Sequence, residues 1–120
     1  MTADLEVGVR ERDGAAMIDL RGEINSAADH ALDSAYTEAT RSGSRSVILN
    51  FTEAAYINNT GIALIVGLLA KARAQDVTIS ACGLSEHYRE IFEITRLADF
   101  MTIADTEDGA ISAARGSDDA

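Results

Sequence analysis

Hydrophobic and polar residues change their spacing several times along this chain, and each change marks an element. Leu5, Val7 and Val9 alternate with Glu6, Gly8 and Arg10, the two-residue period of a strand with one wet face. Asp13-Gly14 is a hairpin turn signal, and Ala15 to Leu20 follows as a second strand with Ala16, Ile18 and Leu20 on one side. Strands joined this tightly pair antiparallel. Ser26 then opens a helix, with Asp29 three residues on as a weak capping box. Ala28, Leu32, Ala35, Tyr36 and Ala39 recur at three- and four-residue spacing, one stripe facing a core, before Arg41-Ser42-Gly43-Ser44 ends the helix.

Ser46 to Phe51 contains the unbroken run Val47-Ile48-Leu49, the mark of a strand covered on both faces. Thr60 to Ala74 is ambiguous by periodicity, but its length, the Asn/Thr cap before it, and Lys71 and Arg73 at its far end favour helix. Gly67 weakens that helix by up to ~1 kcal/mol relative to alanine and reads as a point of close packing on the sheet. Val77-Thr78-Ile79 is a fourth strand. Ser85 caps a third helix running through Tyr88, Ile91, Phe92 and Thr95; a fifth strand lies around Met101-Thr102-Ile103. Glu107 to Ala114 closes the chain as a short helix, so residues 1–115 form a single domain and 116–120 a flexible acidic tail. The order β-β-α-β-α-β-α-β-α predicts an α/β fold whose strands after the first run parallel.

Composition narrows the function more than the fold. With 120 residues the chain can build one core, and with no tryptophan, three Phe and three Tyr that core is mainly aliphatic. A net charge of −10 argues against direct binding to nucleic acid or anionic lipid. The acidic clusters Asp105-Thr106-Glu107-Asp108 and Asp118-Asp119 read as a solvated tail. Cys82 stands alone at a strand end, a buried inert thiol, and no Cys/His spacing suggests a metal, so no cofactor or metal is expected. The N-terminus lacks signal-peptide features, and the longest apolar run, Ile62 to Ala70, is under half the ~20 residues that span a bilayer. A cytoplasmic location without a membrane span is the expectation.

The candidate chemistry sits in Tyr56-Ile57-Asn58-Asn59-Thr60-Gly61, a polar, turn-like stretch that places a threonine hydroxyl in the first turn of a helix. A phosphate there would add roughly −1.5 to −2 charges beside free N–H groups and the positive end of the helix dipole. Asn58 and Asn59 could cap the helix and donate to such a group; in the plainer reading Asn59 or Thr60 is simply the N-cap. His30 and His87 fall in the first and third helices, and nothing in the sequence brings either to Thr60 as a base. Asp19, Glu23, Asp29 and Asp33 read as solvated surface, no Gly-rich phosphate cradle is present, and no enzyme activity is expected. Ile62, Ala63 and Val66, if exposed beside the loop, would make an apolar ledge for a partner.

Three stretches together resemble the STAS family of anti-sigma factor antagonists: Ile18-Asp19-Leu20-Arg21-Gly22-Glu23-Ile24, a strand ending in a Leu-x-Gly turn; Val47 to Phe51 followed by Tyr56 to Ile62; and Phe92-Glu93-Ile94-Thr95-Arg96-Leu97. The resemblance runs from about Leu5 to Ala114 and implies a mixed, mostly parallel sheet of about five strands with helices packed mainly on one face. It implies a protein partner, an anti-sigma factor that is itself a serine kinase, and a phosphatase that resets the switch. The phosphoacceptor would be Thr60, with Asn58, Asn59, Gly61 and Ile62 as loop and partner-binding residues. The family loop usually reads Asp-Ser-Ser/Thr-Gly; here Asn58 and Asn59 replace the acidic and first hydroxyl positions. That substitution keeps open a second role known in the family, a small subunit docked on the ATPase of an ABC-type membrane transporter without phosphorylation.

Overall fold

The computed structural model describes residues 5–41 and 43–118, with side chains described as far as residue 113. Strands β1 (Glu6–Arg12) and β2 (Ala15–Ile24) form the expected antiparallel hairpin. Strands β3 (Ser46–Ile57), β4 (Thr78–Cys82) and β5 (Thr102–Ala104) then add in sequence order, each parallel to its neighbour. Helices α1 (Asp29–Arg41), α2 (Asn59–Ala74), α3 (Glu86–Ile94) and α4 (Glu107–Asp118) alternate with the strands.

Period-two alternation sorts the two cores. Ala16, Ile18 and Leu20 of β2 and Val47, Leu49 and Phe51 of β3 face Leu32 and Tyr36 of α1, Ile65 and Leu68 of α2, and Phe92 of α3. Phe92 meets Phe51 edge-on at 5.8 Å. The intervening Ala15, Met17 and Ile48, with Cys82 of β4, lie on the reverse side under Ala110 and Ile111 of α4. Val47-Ile48-Leu49 is apolar throughout because both faces of its strand are covered. Three helices on one face and a single one on the other match the expected architecture. Tyr36 ties α1 to the end of α2: its hydroxyl donates to Gln75 Oε1 at 2.8 Å.

Element ends differ from the expectations in ways that side chains explain. Ser26 is not the start of an α-helix: Asn25, extended, accepts from the Ala27 N–H at 3.0 Å and caps a 3-10 turn (Ser26–Ala28), so α1 begins only at Asp29. The Leu20-Arg21-Gly22 segment does not end its strand. β2 continues to Ile24, pairing with a β3 that runs to Ile57, and the register slips between Gly22 and Glu23. Gly22 takes φ 100° there, a backbone open to glycine without strain. Tyr56 and Ile57 therefore belong to a strand rather than to a turn. Gly67, read as a contact with the sheet, faces solvent; a Cβ built on it would meet nothing within 4 Å. α4 reaches Asp118 instead of stopping at Ala114, and the rest of the expected tail, residues 119–120, lies outside the described residues.

The acidic cluster before α4 is not a solvated tail. Arg10 pairs with Asp19 at 2.7 Å and Glu107 at 2.9 Å; Arg12 pairs with Glu107 at 2.7 Å and with Asp108; Arg89 pairs with Asp105. Asn50 Nδ2 donates to Asp19 Oδ1 at 2.8 Å. The Arg10 and Arg12 pairs fasten the start of α4 to the hairpin, and Arg89 ties the turn before it to α3. The bonds to Asp19 and Glu107 hold their carboxyls below the usual range, chiefly through the Arg10 guanidinium. Burial pushes the Cys82 thiol up to about 11, an inert group as expected.

Two outcomes follow. Gly67→Ala should raise the unfolding free energy by about 1 kcal/mol, read from urea melts, because the change adds helix propensity and meets no neighbour. Carboxyls depressed in the fold stabilise it fully above their unfolded value near pH ~4 and lose that contribution as pH falls through the folded value. The urea midpoint should therefore drop between pH 5 and about pH 2, and Asp19→Asn should lose less over that range than the parent chain.

Candidate functional site

The end of β3 delivers the chain directly into α2, and the corner between them is built by backbone contacts to β2. The Asn58 N–H donates to the Ile24 carbonyl at 3.2 Å. Asn58 itself is extended (φ −90°, ψ −179°), and its Oδ1 accepts from the Gly61 N–H at 2.8 Å. The N-cap is thus Asn58, one of the two caps expected, rather than the Asn59 or Thr60 of the plainer reading, and α2 starts at Asn59. Gly61 is required by proximity: a Cβ on it would sit 2.1 Å from the Ile24 carbonyl oxygen. The helix N-terminus is pressed against the end of β2 at this point.

That contact orients the other residues of the corner. Gly61 is buried and Asn58 half-buried, whereas Asn59 and Thr60 are exposed on the first turn. The Asn59 and Thr60 N–H groups have no partner among the described residues, and no acidic side chain stands in that turn. Ile62 is half-buried; Ala63 is exposed, and Val66 is 47% exposed. Of the expected apolar ledge only Ala63 is exposed beside the turn: Ile62 packs on the core, and Val66 lines a different concavity farther along α2.

A cleft of about 370 Å³ opens beside this turn. Thr60, Asn59 and Tyr56 line one wall, and His87, Tyr88 and Ile91 of α3 line the other. His87, exposed on α3, reaches this cleft through the sheet topology and makes no hydrogen bond to Thr60 among the described residues. β3 and β4 are adjacent and parallel, so the loops that leave them emerge side by side at one edge of the sheet. Tyr88 fixes the approach: its hydroxyl accepts from the Ile57 N–H at 3.0 Å, and its ring meets His87 at 5.0 Å. Ser85 caps α3 as expected, accepting from the Tyr88 N–H at 3.3 Å. The signal for the place of His87 at the cleft was the strand order, because it has no distinguishing local motif. His30 stays exposed on α1, away from the cleft. Tyr56, the first residue of the stretch that the sequence singled out, is 52% exposed at the rim.

Chemically the corner offers a free hydroxyl, a helix N-terminus and amide side chains. Among the described residues no group of acidic, His and Cys side chains is placed to hold a metal ion, and no helix is long and apolar enough to cross a membrane. Removing the cap with Asn58→Ala should cost about 1 kcal/mol by urea unfolding. Gly61→Ala should cost at least about 2 kcal/mol, because backbone rather than a flexible side chain blocks the new methyl. A smaller loss for Gly61→Ala than for Asn58→Ala would contradict the close approach.

Residues 6–110 match the STAS domain family. The anti-sigma-B factor antagonist of Staphylococcus aureus is 26% identical over 100 residues, which span 83% of this chain and 93% of that protein. An anti-sigma factor antagonist from Mycobacterium paratuberculosis superposes with a TM-score of 0.79 at 17% identity, covering 96% of this chain and 99% of the other. The Bacillus cell fate determinant SpoIIAA in its phosphorylated form gives 0.68 at 22% identity, covering 91% and 99%. Family match, strand order and the geometry of the β3–α2 corner agree: the chain belongs to the STAS domain family.

Proposed function

We propose that this chain is an anti-sigma factor antagonist, a cytoplasmic switch protein that binds an anti-sigma factor with serine-kinase activity through the β3–α2 corner and is released by phosphorylation of Thr60. The observation that carries this reading is the exposed Thr60 at the first turn of α2, flanked by the cleft and by the exposed Ala63. The name of the S. aureus relative, an anti-sigma-B factor antagonist, supports the same role.

The physics separates fold from partner. A phosphate at the start of α2 is favoured by the dipole, and Asn58 already satisfies the Gly61 N–H, so the domain keeps its structure. The added charge acts across the interface instead, where it must be desolvated or repelled. A phosphatase acting on the modified threonine restores the binding form.

The test is affinity purification from the native host followed by phosphosite mapping. The kinase partner with ATP should add one phosphate-sized mass, absent in Thr60→Ala. Thr60→Glu should weaken capture of that partner by at least about tenfold, roughly 1.4 kcal/mol, while leaving the urea midpoint unchanged. Phosphate on another residue, or equal capture of Thr60→Glu, would remove Thr60 from the mechanism. Recovery of a transporter ATPase insensitive to Thr60→Glu would favour the docked-subunit role.

A further inference from the structure

A second concavity lies at the opposite end of α2. It is a groove of about 900 Å³ between the last turns of α2, the Thr95–Thr102 segment and the start of β4. Thr60 and Arg73 are thirteen residues apart on one helix, about 20 Å along its axis, so the groove is separate from the β3–α2 corner. Its volume is that of a small-molecule site.

We propose that this groove binds a small amphipathic anion: a carboxylate at the rim carried on an aliphatic body along the floor. The floor is aliphatic. Leu69, Ala72, Ile79, Leu97 and Met101 reach it from the edge of the core. Two large apolar side chains stand at its lips instead of entering the core, Val66 at 47% and Phe100 at 60% exposure. Scattered apolar side chains on a surface need no explanation, but two on the lips of one apolar groove extend it into a continuous patch.

The charge at the rim specifies the ligand. In a chain of net charge −10, the groove carries Arg73 and Arg96 against a single carboxylate, Asp99. Arg73 makes no ion pair among the described residues; its guanidinium lies 5.7 Å from the centre of the Phe100 ring. Arg96 contacts Asp99 only loosely, at 3.7 Å across an exposed i,i+3 spacing. Its backbone is left-handed (φ 66°, ψ 16°), a conformation that glycine would adopt freely and arginine adopts against its preference. A cation is thus held at a position where local conformation alone favours glycine. Thr78, Thr95 and Thr102 add hydroxyls around the rim. A cationic ligand would meet two guanidinium groups, and a neutral apolar one would leave both unused.

The test uses the full chain, isotopically labelled, titrated with octanoate and separately with octanol while amide resonances are followed. Octanoate should give saturable shifts confined to the groove, at Val66, Ala70, Val77 and Phe100, with Kd near or below about 1 mM, as ten heavy atoms allow. Octanol should bind about tenfold more weakly, and so should octanoate to Arg73→Gln. Arg96→Gly supplies a second check, because it relieves the backbone: thermal stability should hold or rise while octanoate affinity falls. The proposal is overturned by equal binding of octanol, by undiminished binding in both variants, by shifts centred elsewhere, or by no saturation at about 10 mM. Groove resonances that move on dilution of the protein alone would overturn it in favour of a second copy as occupant.

Discussion

Everything at the β3–α2 corner depends on one backbone approach, the Ile24 carbonyl lying against Gly61. It accepts the Asn58 N–H and leaves no room for a side chain on the facing residue. This contact joins the two longest strands to the most apolar helix, so the first turn of α2 is fixed by the sheet rather than by a mobile loop. Rigid support matters for a surface read by another molecule, because a pre-ordered group loses less entropy on contact. Asn58 and Gly61 act as a pair: one supplies the cap and the other permits the proximity that makes the cap reachable.

The order of elements was largely legible from the chain because its periods are clean. Leu5-Val7-Val9 alternates, Ala28 to Ala39 repeats at helical spacing, and Val47-Ile48-Leu49 is apolar on both sides of its strand. Ends were less legible, since they are settled by tertiary contacts. Asn25 displaced Ser26 as a cap because its backbone is extended at that point, and Tyr56-Ile57 joined β3 because β2 extends beside it to Ile24. Gly67 was misplaced for a related reason: an almost wholly apolar helix gives no polar stripe from which to tell its outer face.

The site divides the same way. Thr60, Asn58 and Gly61 announced themselves through a local pattern, whereas His87 and Tyr88 reach the cleft only through the adjacency of two parallel strands. Charge pairing was invisible for the same cause. Glu107 is 97 positions from Arg10 in sequence, and only the return of α4 across the reverse face brings them within 2.9 Å. That return also explains why a cluster resembling a loose acidic terminus is structural.

The two borders of the sheet carry a consequence of their own. On one side β5 offers only three residues of unpaired backbone; on the other, β1 carries Glu6, Arg10, Glu11 and Arg12 among its seven. Short length at one margin and dense charge at the other discourage a neighbouring chain from hydrogen-bonding onto either. Growth of the ladder is thereby disfavoured, and side chains at helix ends and clefts are the surfaces left open to an encounter. Contacts of that kind can be broken without unzipping any backbone.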